Sequence, residues 1–202
     1  MKASYDGIGQ LAIAPVKTDS AETIEYDTVT KFPKSHISIT ITPTSNSGQQ
    51  WAENQSINNW ASKTGGTFSI VVAYLRTEEK AVAYGETLDT ATGVLVSNKD
   101  DVIPDVMLIT LLRSNDTNTL IKLPKAKLSG APITGTTETE GGKTLSTVTI
   151  SGTYGATIYD GNDKYEKQGV TQESDITAWF DTAKGGLPEK PTTPYTPPGT
   201  GD

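Results

Sequence analysis

Apolar and polar positions alternate along much of the chain, a pattern typical of β-strands with one buried face. The clearest alternation lies in residues 35–44, SHISITITPT. One face of this predicted strand carries Ile37, Ile39 and Ile41, and the opposite face carries Ser38, Thr40 and Thr42. The pattern therefore predicts a strand with one dry face and one wet, hydroxyl-bearing face.

Residues 66–96 predict a strand, a short helix and a second strand, around which the rest of the chain is arranged. Residues 68–74 are apolar at nearly every position, which predicts a central strand covered on both faces. Thr77 is placed as the N-cap of the helix, and Gly85 as its end. The helix is predicted to cover a sheet with Ala81, Val82 and Tyr84, and residues 93–96 to form the next strand.

Further strands are predicted at residues 5–16, 24–32 and 102–112. The last of these is the most continuous apolar run. It is therefore expected to be buried on both faces, beside the strand of residues 68–74 or under the helix. A hairpin turn follows, and the returning strand is expected to break at Pro124. A late strand is predicted to point Val148 and Ile150 inward.

A second helix is predicted near the end of the chain, with Ser174 as its N-cap. Its apolar face carries Ile176, Trp179 and Phe180. From residue 187 the chain is rich in proline and lacks a core-forming pattern, so residues 187–202 are predicted to form a flexible tail. Residues 1–186 are predicted to form a single domain.

Residues 45–66 are polar and longer than most loops in compact domains, yet they carry Trp51 and Trp60. Disordered segments are poor in aromatic residues, so an extended hairpin arm is predicted. Two interpretations stay open. The tryptophans either dock on another chain or cover the parent sheet, because Trp is favoured both at interface centres and in cores.

Composition narrows the class of protein. Hydrophobic residues make up 34% of the 202 residues and 32 residues are threonine, which favours a mainly β chain with half-solvated strands. Cysteine is absent, so the sequence offers no disulfide framework. The net charge of −7 disfavours a DNA-binding face that contacts phosphates. Neither a signal peptide nor a membrane-spanning run is recognisable, so a soluble product made in a cytoplasm is expected.

The sequence offers little catalytic chemistry. His36 is the lone histidine and has no nucleophile motif near it, and neighbouring carboxylates are typical of a solvated face. Asp160, Asn162 and Asp163 faintly resemble a calcium loop, but the glycine and the distal glutamate are out of place, so a plain turn is favoured. The prediction is a protein that is not an enzyme and uses no cofactor or metal.

The chain also resembles a known family in the order of its motifs. These are YDGIGQLAIAPV, EYDTVTKFPKSHISITITP, WAEN, GGTFSIVVAYL, GETLDTATGVLV, DVIPDVMLITLLRS, LPKAKLSGAP and AWFDTA. Their order resembles the major tail proteins of long-tailed bacteriophages, the tail tube subunits often labelled phi13-like. The resemblance extends to about residue 186. One departure is Glu53, where the pattern has an aspartate.

The resemblance implies a β-sandwich or half-barrel with antiparallel sheets, flanked by one or two short helices. Six subunits would close into a ring, and stacked rings would form a tube that conducts DNA into the host without binding it specifically. Partners would be the protein itself and the tape measure, tail terminator and distal tail proteins. The location would be the virion, after synthesis in the host cytoplasm, with no membrane contact.

Two sets of residues are candidates for these roles. Trp51, Glu53 and Trp60 are the candidates for contacts of the arm between rings, and Ser38, Thr40 and Thr42 are the candidates for facing the lumen. The alternative function is a carbohydrate-binding or adhesive β-sandwich module, in which Trp51, Trp60 and Tyr165 would stack on sugars. A binding module is expected to stay monomeric, whereas a tube subunit is expected to form rings or filaments.

Overall fold

The structure is a computed structural model that describes residues 7–32, 36–52, 55–114, 117–130 and 147–188, with the backbone alone between residues 50 and 60. These ranges contain eleven strands and two helices. The strands are β1 (Gly7–Asp19), β2 (Ile24–Tyr26), β3 (Thr30–Lys31), β4 (His36–Ala52), β5 (Gln55–Val72), β6 (Thr87–Asp89), β7 (Val94–Val96), β8 (Asp105–Arg113), β9 (Asn118–Leu128), β10 (Val148–Gly155) and β11 (Tyr165–Val170). The helices are α1 (Thr77–Tyr84) and α2 (Glu173–Asp181).

Nine strands form one antiparallel sheet in the order β2-β1-β8-β9-β10-β5-β4, with β3 paired to β1 and β11 paired to β9. Strands β1 and β4 lie far apart in this order, yet their Cα atoms approach to within 8 Å, so the sheet curls back on itself. Strands β6 and β7 form a separate ribbon. The predicted mainly β fold with antiparallel sheets and a few short helices is confirmed.

The inner face of the curled sheet holds the larger of two cores. Apolar side chains from β1, β5, β8, β9 and β10 meet there. Its fully buried members include Leu11, Ile13, Ile70, Val72, Val106, Leu108, Leu123 and Ile150. Each such side chain contributes on the order of 1.5–3 kcal/mol through removal from water.

Helix α1 covers part of this inner core. Its buried residues include Ala83 and Tyr84. The backbone N–H of Arg76 donates to Glu79 Oε2 at 2.9 Å, which ties the first turn together. Gly85 follows with a φ of 69°, a left-handed conformation that ends helices and that glycine adopts without steric cost.

The opposite face of β1, β8 and β9 forms a second core under α2. Its members include Ala12, Met107, Ile109, Leu111, Leu120, Ile176, Trp179 and Phe180. The apolar face predicted for the second helix is therefore confirmed. Of residues 102–112, for which burial on both faces was predicted, those from Val106 to Leu111 are buried, whereas Val102 is 77% exposed before β8 begins.

Two positions were predicted for residues 102–112, beside the strand of residues 68–74 or under the helix. The first is not observed, because β8 pairs with β1 and β9. The second agrees with the structure, since Val106 and Leu108 share the inner core with Ala83 and Tyr84 of α1. The predicted two-face burial of residues 68–74 is wrong. Val71 is half-buried, Ala73 is exposed, and Tyr74 is 49% exposed beyond the end of β5. The reason is that the outward face of β5 continues a hydroxyl-bearing surface, which no layer formed by the described residues covers.

Three other differences are local, and register shifts explain two of them. Ile37 is 55% exposed because the β4–β5 register shifts between His36 and Ser38, which turns Ile37 away from the core. The predicted strand at residues 24–32 is divided into β2 and β3. Strand β9 does not break at Pro124. It continues, and the β8–β9 register shifts beside the proline.

The N-caps of both helices differ from the prediction, and so does the pairing of the strand that ends the predicted 66–96 unit. The N-cap of α1 is Arg76 and not Thr77, and the N-cap of α2 is Gln172 and not Ser174. Strand β7 pairs with β6 and does not join the large sheet. Residues 189–202 lie outside the described residues, so the division into one domain and a tail stays a prediction. None of the described helices is long and apolar enough to cross a membrane.

Candidate assembly surface

Strands β4, β5 and β10 present a continuous hydroxyl face, which we define by six residues. They are Thr40, Thr42, Thr67, Ser69, Ser151 and Thr153, and together they line one shallow depression. The strand register aligns them in two rows. Thr40 lies opposite Ser69, which lies opposite Ser151, and Thr42 and Thr153 flank Thr67 in the same way. The predicted residue Ser38 is exposed on the next row, opposite Val71.

The period of the three strands produces this face. Side chains alternate across a strand, so each exposed hydroxyl residue is followed by one that points to the inner core. Phe68, Ile70 and Ile150 are the buried counterparts. Gly152 fits the same scheme. A Cβ atom at Gly152 would lie 2.4 Å from Phe68 Cζ, so the ring occupies the space that a side chain would need.

The hydroxyl face is uncharged, although a charged pair borders it. Lys127 lies opposite Thr153 in the β9–β10 register. Its Nζ atom is 3.6 Å from Asp105 Oδ1, so a carboxylate accompanies this cation. A neutral, hydroxyl-rich surface bordered by a paired lysine has little attraction for nucleic acid phosphates.

Strand β4 has an outer edge next to this face. Within the ranges that the structure describes, β4 is paired with β5 on one side and with no strand on the other. Such an edge can pair with another chain, and proteins usually cover or blunt it. Ile37, exposed at the start of the same strand, adds apolar area to this edge. Cα atoms of β1 come within 8 Å of β4, but β1 does not pair with it, so backbone groups on this edge have no strand partner among the described residues.

The β4–β5 hairpin leaves the sheet at a defined point. Strand β10 ends its pairing with β5 at Gly66, opposite Tyr154. The β4–β5 register shifts just beyond, between Pro43 and Ser45. Gly65 has a φ of 97°, and a Cβ there would lie 2.1 Å from the Tyr154 carbonyl oxygen. Glycine is required by both the backbone angle and the close approach, so this position acts as the root of the arm.

Beyond the root the hairpin is a two-stranded ribbon, which we call the arm. Its backbone stays paired from Ser45 opposite Lys63 to Ala52 opposite Gln55. Side chains at positions 45–47, 49 and 61–64 are exposed, so these parts of the arm have no core of their own. A two-stranded ribbon without a covered face is marginally stable in water. The arm therefore gains stability if another surface covers it.

The structure describes the backbone of two of the three arm candidates, and the third lies outside the described residues. Trp60 is paired opposite Gly48, and Trp51 opposite Ser56, so both lie on the arm strands. Their side chains are beyond what the structure describes, and Glu53 lies outside the described residues. Whether the tryptophans dock on another chain or cover the parent sheet stays a prediction.

Asp160, the first residue of the weak calcium-loop pattern, is held by hydrogen bonds to nearby residues. Asp160 accepts hydrogen bonds from Thr157 Oγ1 at 2.5 Å, from Asn162 N at 3.1 Å and from the Tyr165 hydroxyl. Burial raises the pKa of Asp160, but these hydrogen bonds outweigh burial and hold it below its usual value. Within the described residues no group of three or more metal-ligating side chains comes together. His36 begins β4, opposite Val72.

Sequence reasoning missed four of the six residues of the hydroxyl face. The candidates from β4 were identified, but Thr67, Ser69, Ser151 and Thr153 were not. Their alternation with apolar residues was visible in both strands. What the sequence did not reveal was the register that aligns three strands into one surface. No protein-family profile matches the chain, and no curated protein matches it in sequence.

Proposed function

We propose that this protein is a structural subunit of a phage tail tube and not an enzyme. The observation that carries the proposal is the coincidence of three features on one strand. Strand β4 contributes to the hydroxyl face, has an outer edge without a strand partner among the described residues, and extends into the arm. Assembly of several subunits would cover the edge and the arm and would enclose the hydroxyl face.

The outer edge of β4 supports ring formation. A contact between this edge and a different surface of the next copy is heterologous, and such contacts close into rings when the rotation allows. Ring closure also removes an exposed edge that would otherwise invite uncontrolled aggregation. In the proposed assembly six copies close in this way.

The arm supports stacking of rings. It projects beyond the last pairing of β10 with β5 and exposes polar side chains along its first half. The neighbouring ring is the surface on which it docks, and Trp51 and Trp60 supply the apolar area. The tape measure, terminator and distal tail proteins are the further partners at the tube and its ends.

The hydroxyl face is the proposed lumen wall. Duplex DNA carries one charge per roughly 1.7 Å, so a basic wall would hold it, whereas a neutral hydroxyl wall lets it slide. Ser38, Thr40 and Thr42 belong to this wall together with the hydroxyl residues of β5 and β10. In this arrangement the subunit conducts DNA without recognising its sequence.

Electron microscopy of the purified protein over a range of concentrations tests the assembly. Rings or tubes are the expected result. A protein that stays monomeric at every concentration contradicts the proposal and favours the carbohydrate-binding alternative. Reconstruction of the tubes then locates β4, and an outward-facing hydroxyl surface or a lumen lined by lysine and arginine contradicts the conduit.

A pair of variants tests the wall directly. Thr40→Lys combined with Ser151→Lys places two cations on one row of the hydroxyl face. Tubes of this variant are expected to retain duplex DNA at low salt and release it as salt rises. The matched control, Thr40→Ser with Ser151→Thr, keeps the hydroxyls and is expected to retain none. Equal retention by both variants contradicts a lumen position.

A further inference from the structure

A groove lined by tyrosines lies at the point where the described chain ends. Its volume is about 440 Å³. The lining includes Tyr26, Tyr159, Tyr165, Asp160, Leu187 and Pro188. Aromatic side chains therefore face the first residues of the proline-rich tail. This groove lies apart from the hydroxyl face and from the arm, so the assembly proposed above does not use it.

Hydrogen bonds hold the rings of Tyr26 and Tyr165 in place. The Tyr26 hydroxyl donates to the Pro124 carbonyl oxygen at 3.2 Å, and the Tyr165 hydroxyl donates to Asp160. Burial raises the pKa of both hydroxyls, so they stay protonated donors. Rings fixed before a ligand arrives lose little conformational entropy when it binds. The groove is thus a pre-formed aromatic surface.

The sequence that follows has a matching period. Prolines occur at every third position, at Pro188, Pro191, Pro194 and Pro197. A polyproline II helix has three residues per turn, so these four prolines would share one edge of it. Aromatic-lined grooves bind such proline edges, because the extended helix is already ordered by its prolines. The three-residue spacing of the prolines therefore matches the kind of ligand that an aromatic-lined groove binds.

The start of the tail is anchored at the groove. Lys122 Nζ donates to the carbonyl oxygens of Ala183 and Gly185, both at 2.7 Å. This fixes the chain just before Leu187, and Pro188 already lies at the groove wall. The next residues reach the tyrosines without a linker, which gives them a high effective concentration there.

We propose that residues 188–197 of this chain bind in its own tyrosine-lined groove as a polyproline II helix. The proline edge packs on the rings of Tyr26, Tyr159 and Tyr165. The threonines between the prolines face away from the groove. The tail is then a built-in ligand that covers an aromatic surface of the subunit.

Paramagnetic NMR on the full-length protein tests this proposal. The chain has no cysteine, so Thr193→Cys provides a unique attachment site for a nitroxide label. A tethered label passes near the rings even when the tail is unbound, so binding is expected to broaden the ring signals of Tyr26, Tyr159 and Tyr165 more strongly than the same label does in a tail without the prolines. Broadening that is no stronger overturns the proposal. A mixture of labelled protein with unlabelled, isotope-enriched protein separates binding within one chain from exchange between copies. Broadening in that mixture overturns the own-chain assignment.

Matched tail variants test the proline edge without disturbing the folded core. In the labelled protein, Pro191→Ala with Pro194→Ala is expected to abolish most of this additional broadening. Thr192→Ala with Thr196→Ala changes the same segment off the proline edge and is expected to leave the broadening as it was. Equal broadening in both variants overturns the recognition of prolines.

Discussion

The ammonium nitrogen of Lys122 lies 4.7 Å from the centroid of the Trp179 ring, in the core between the sheet and α2. Lys122 is fully buried, and its Nζ also donates to the carbonyl oxygens of Thr182, Ala183 and Gly185. Thr182 is the C-cap of α2, and the other two residues follow it in the chain. A side chain from β9 therefore joins the turn that follows α2 to the sheet and caps the carbonyl groups there.

Replacing this lysine is expected to weaken the protein. Lys122→Met keeps the apolar stem but removes the donor of three carbonyl groups, so the free energy of unfolding should fall by about 1–3 kcal/mol. Lys127→Met is the matched control in the same strand. Its side chain is 55% exposed and its ion pair is at the surface, so the change should stay within about 1 kcal/mol. Urea unfolding measures both. Equal losses would contradict the capping role.

The same lysine predicts a dependence of stability on pH. Burial lowers the pKa of Lys122 from 10.5 to about 7. Between these values the unfolded chain binds a proton that the folded chain does not, so raising the pH favours the folded state. From about pH 7 to about pH 9 the free energy of unfolding should rise, by at most about 1.4 kcal/mol per pH unit.

The difference between wild type and Lys122→Met isolates this contribution from other titrating groups. Burial also raises the pKa of Tyr26 and Tyr165 above 10.0, so these groups lower stability only at higher pH. A difference that does not change with pH would mean that the three carbonyls and the Trp179 ring keep Lys122 charged throughout this range.

Two isoleucines on neighbouring strands should respond differently to the same substitution. Ile70 is 1% exposed in the inner core, whereas Ile37 is 55% exposed on β4. Ile70→Ala is expected to cost about 2–5 kcal/mol through lost burial and a cavity, and Leu108→Ala a similar amount. Ile37→Ala should change stability by at most about 0.5 kcal/mol. Thermal melts measure all three. A large loss at Ile37 would show that this residue is buried.

Gly152 should tolerate a methyl group poorly. A Cβ atom there would lie 2.3 Å from the Lys127 carbonyl oxygen, and backbone cannot move as easily as a side-chain tip. Gly152→Ala is therefore expected to destabilise the protein by about 1–3 kcal/mol. Gly155, in the same strand, has nothing within 4 Å of such an atom. Gly155→Ala should be neutral or slightly stabilising. Equal unfolding midpoints for the two variants would contradict this packing.

The spacing of apolar and polar residues along the chain was sufficient to predict several features of the fold. The alternation of Ile39 and Thr40, the continuous burial of β8 and the apolar face of α2 all follow from local spacing, because side-chain direction repeats with the backbone. The register of β4, β5 and β10 depends on contacts between distant parts of the chain. Local spacing therefore showed single hydroxyl-bearing strands but not the shared face.

Burial that depends on a distant partner could not be predicted. Lys122 lies in a run with Lys125 and Lys127 that is typical of a solvated strand. Its burial depends on the carbonyl groups at the end of α2, about 60 residues away along the chain. Ile37 presents the reverse case. Its position in an apolar series predicts burial, but a single register shift turns it outward.

The arm is expected to affect the assembly of tubes and not the stability of a single subunit. Its backbone is a ribbon without a core along its described side chains, so it contributes little to the stability of one subunit. Trp51→Ala combined with Trp60→Ala should therefore leave the melting temperature of the unassembled protein nearly unchanged and reduce tube length. Gln49→Ala with Ser62→Ala alters the same ribbon at polar positions and is the matched control, with normal tubes expected.

A deletion and an amide exchange measurement complete this test. Joining Ser45 to Lys63, which pair across the ribbon, through an Asn-Gly turn removes the arm at its root and keeps the strand register. The shortened protein should fold and form no long tubes, because shortening a hairpin changes its closure entropy only slightly. In the intact protein, amide protection at positions 49–63 should increase strongly on assembly. Full protection before assembly, or long tubes from the shortened protein, would show that the arm belongs to the subunit's own sheet and does not join rings.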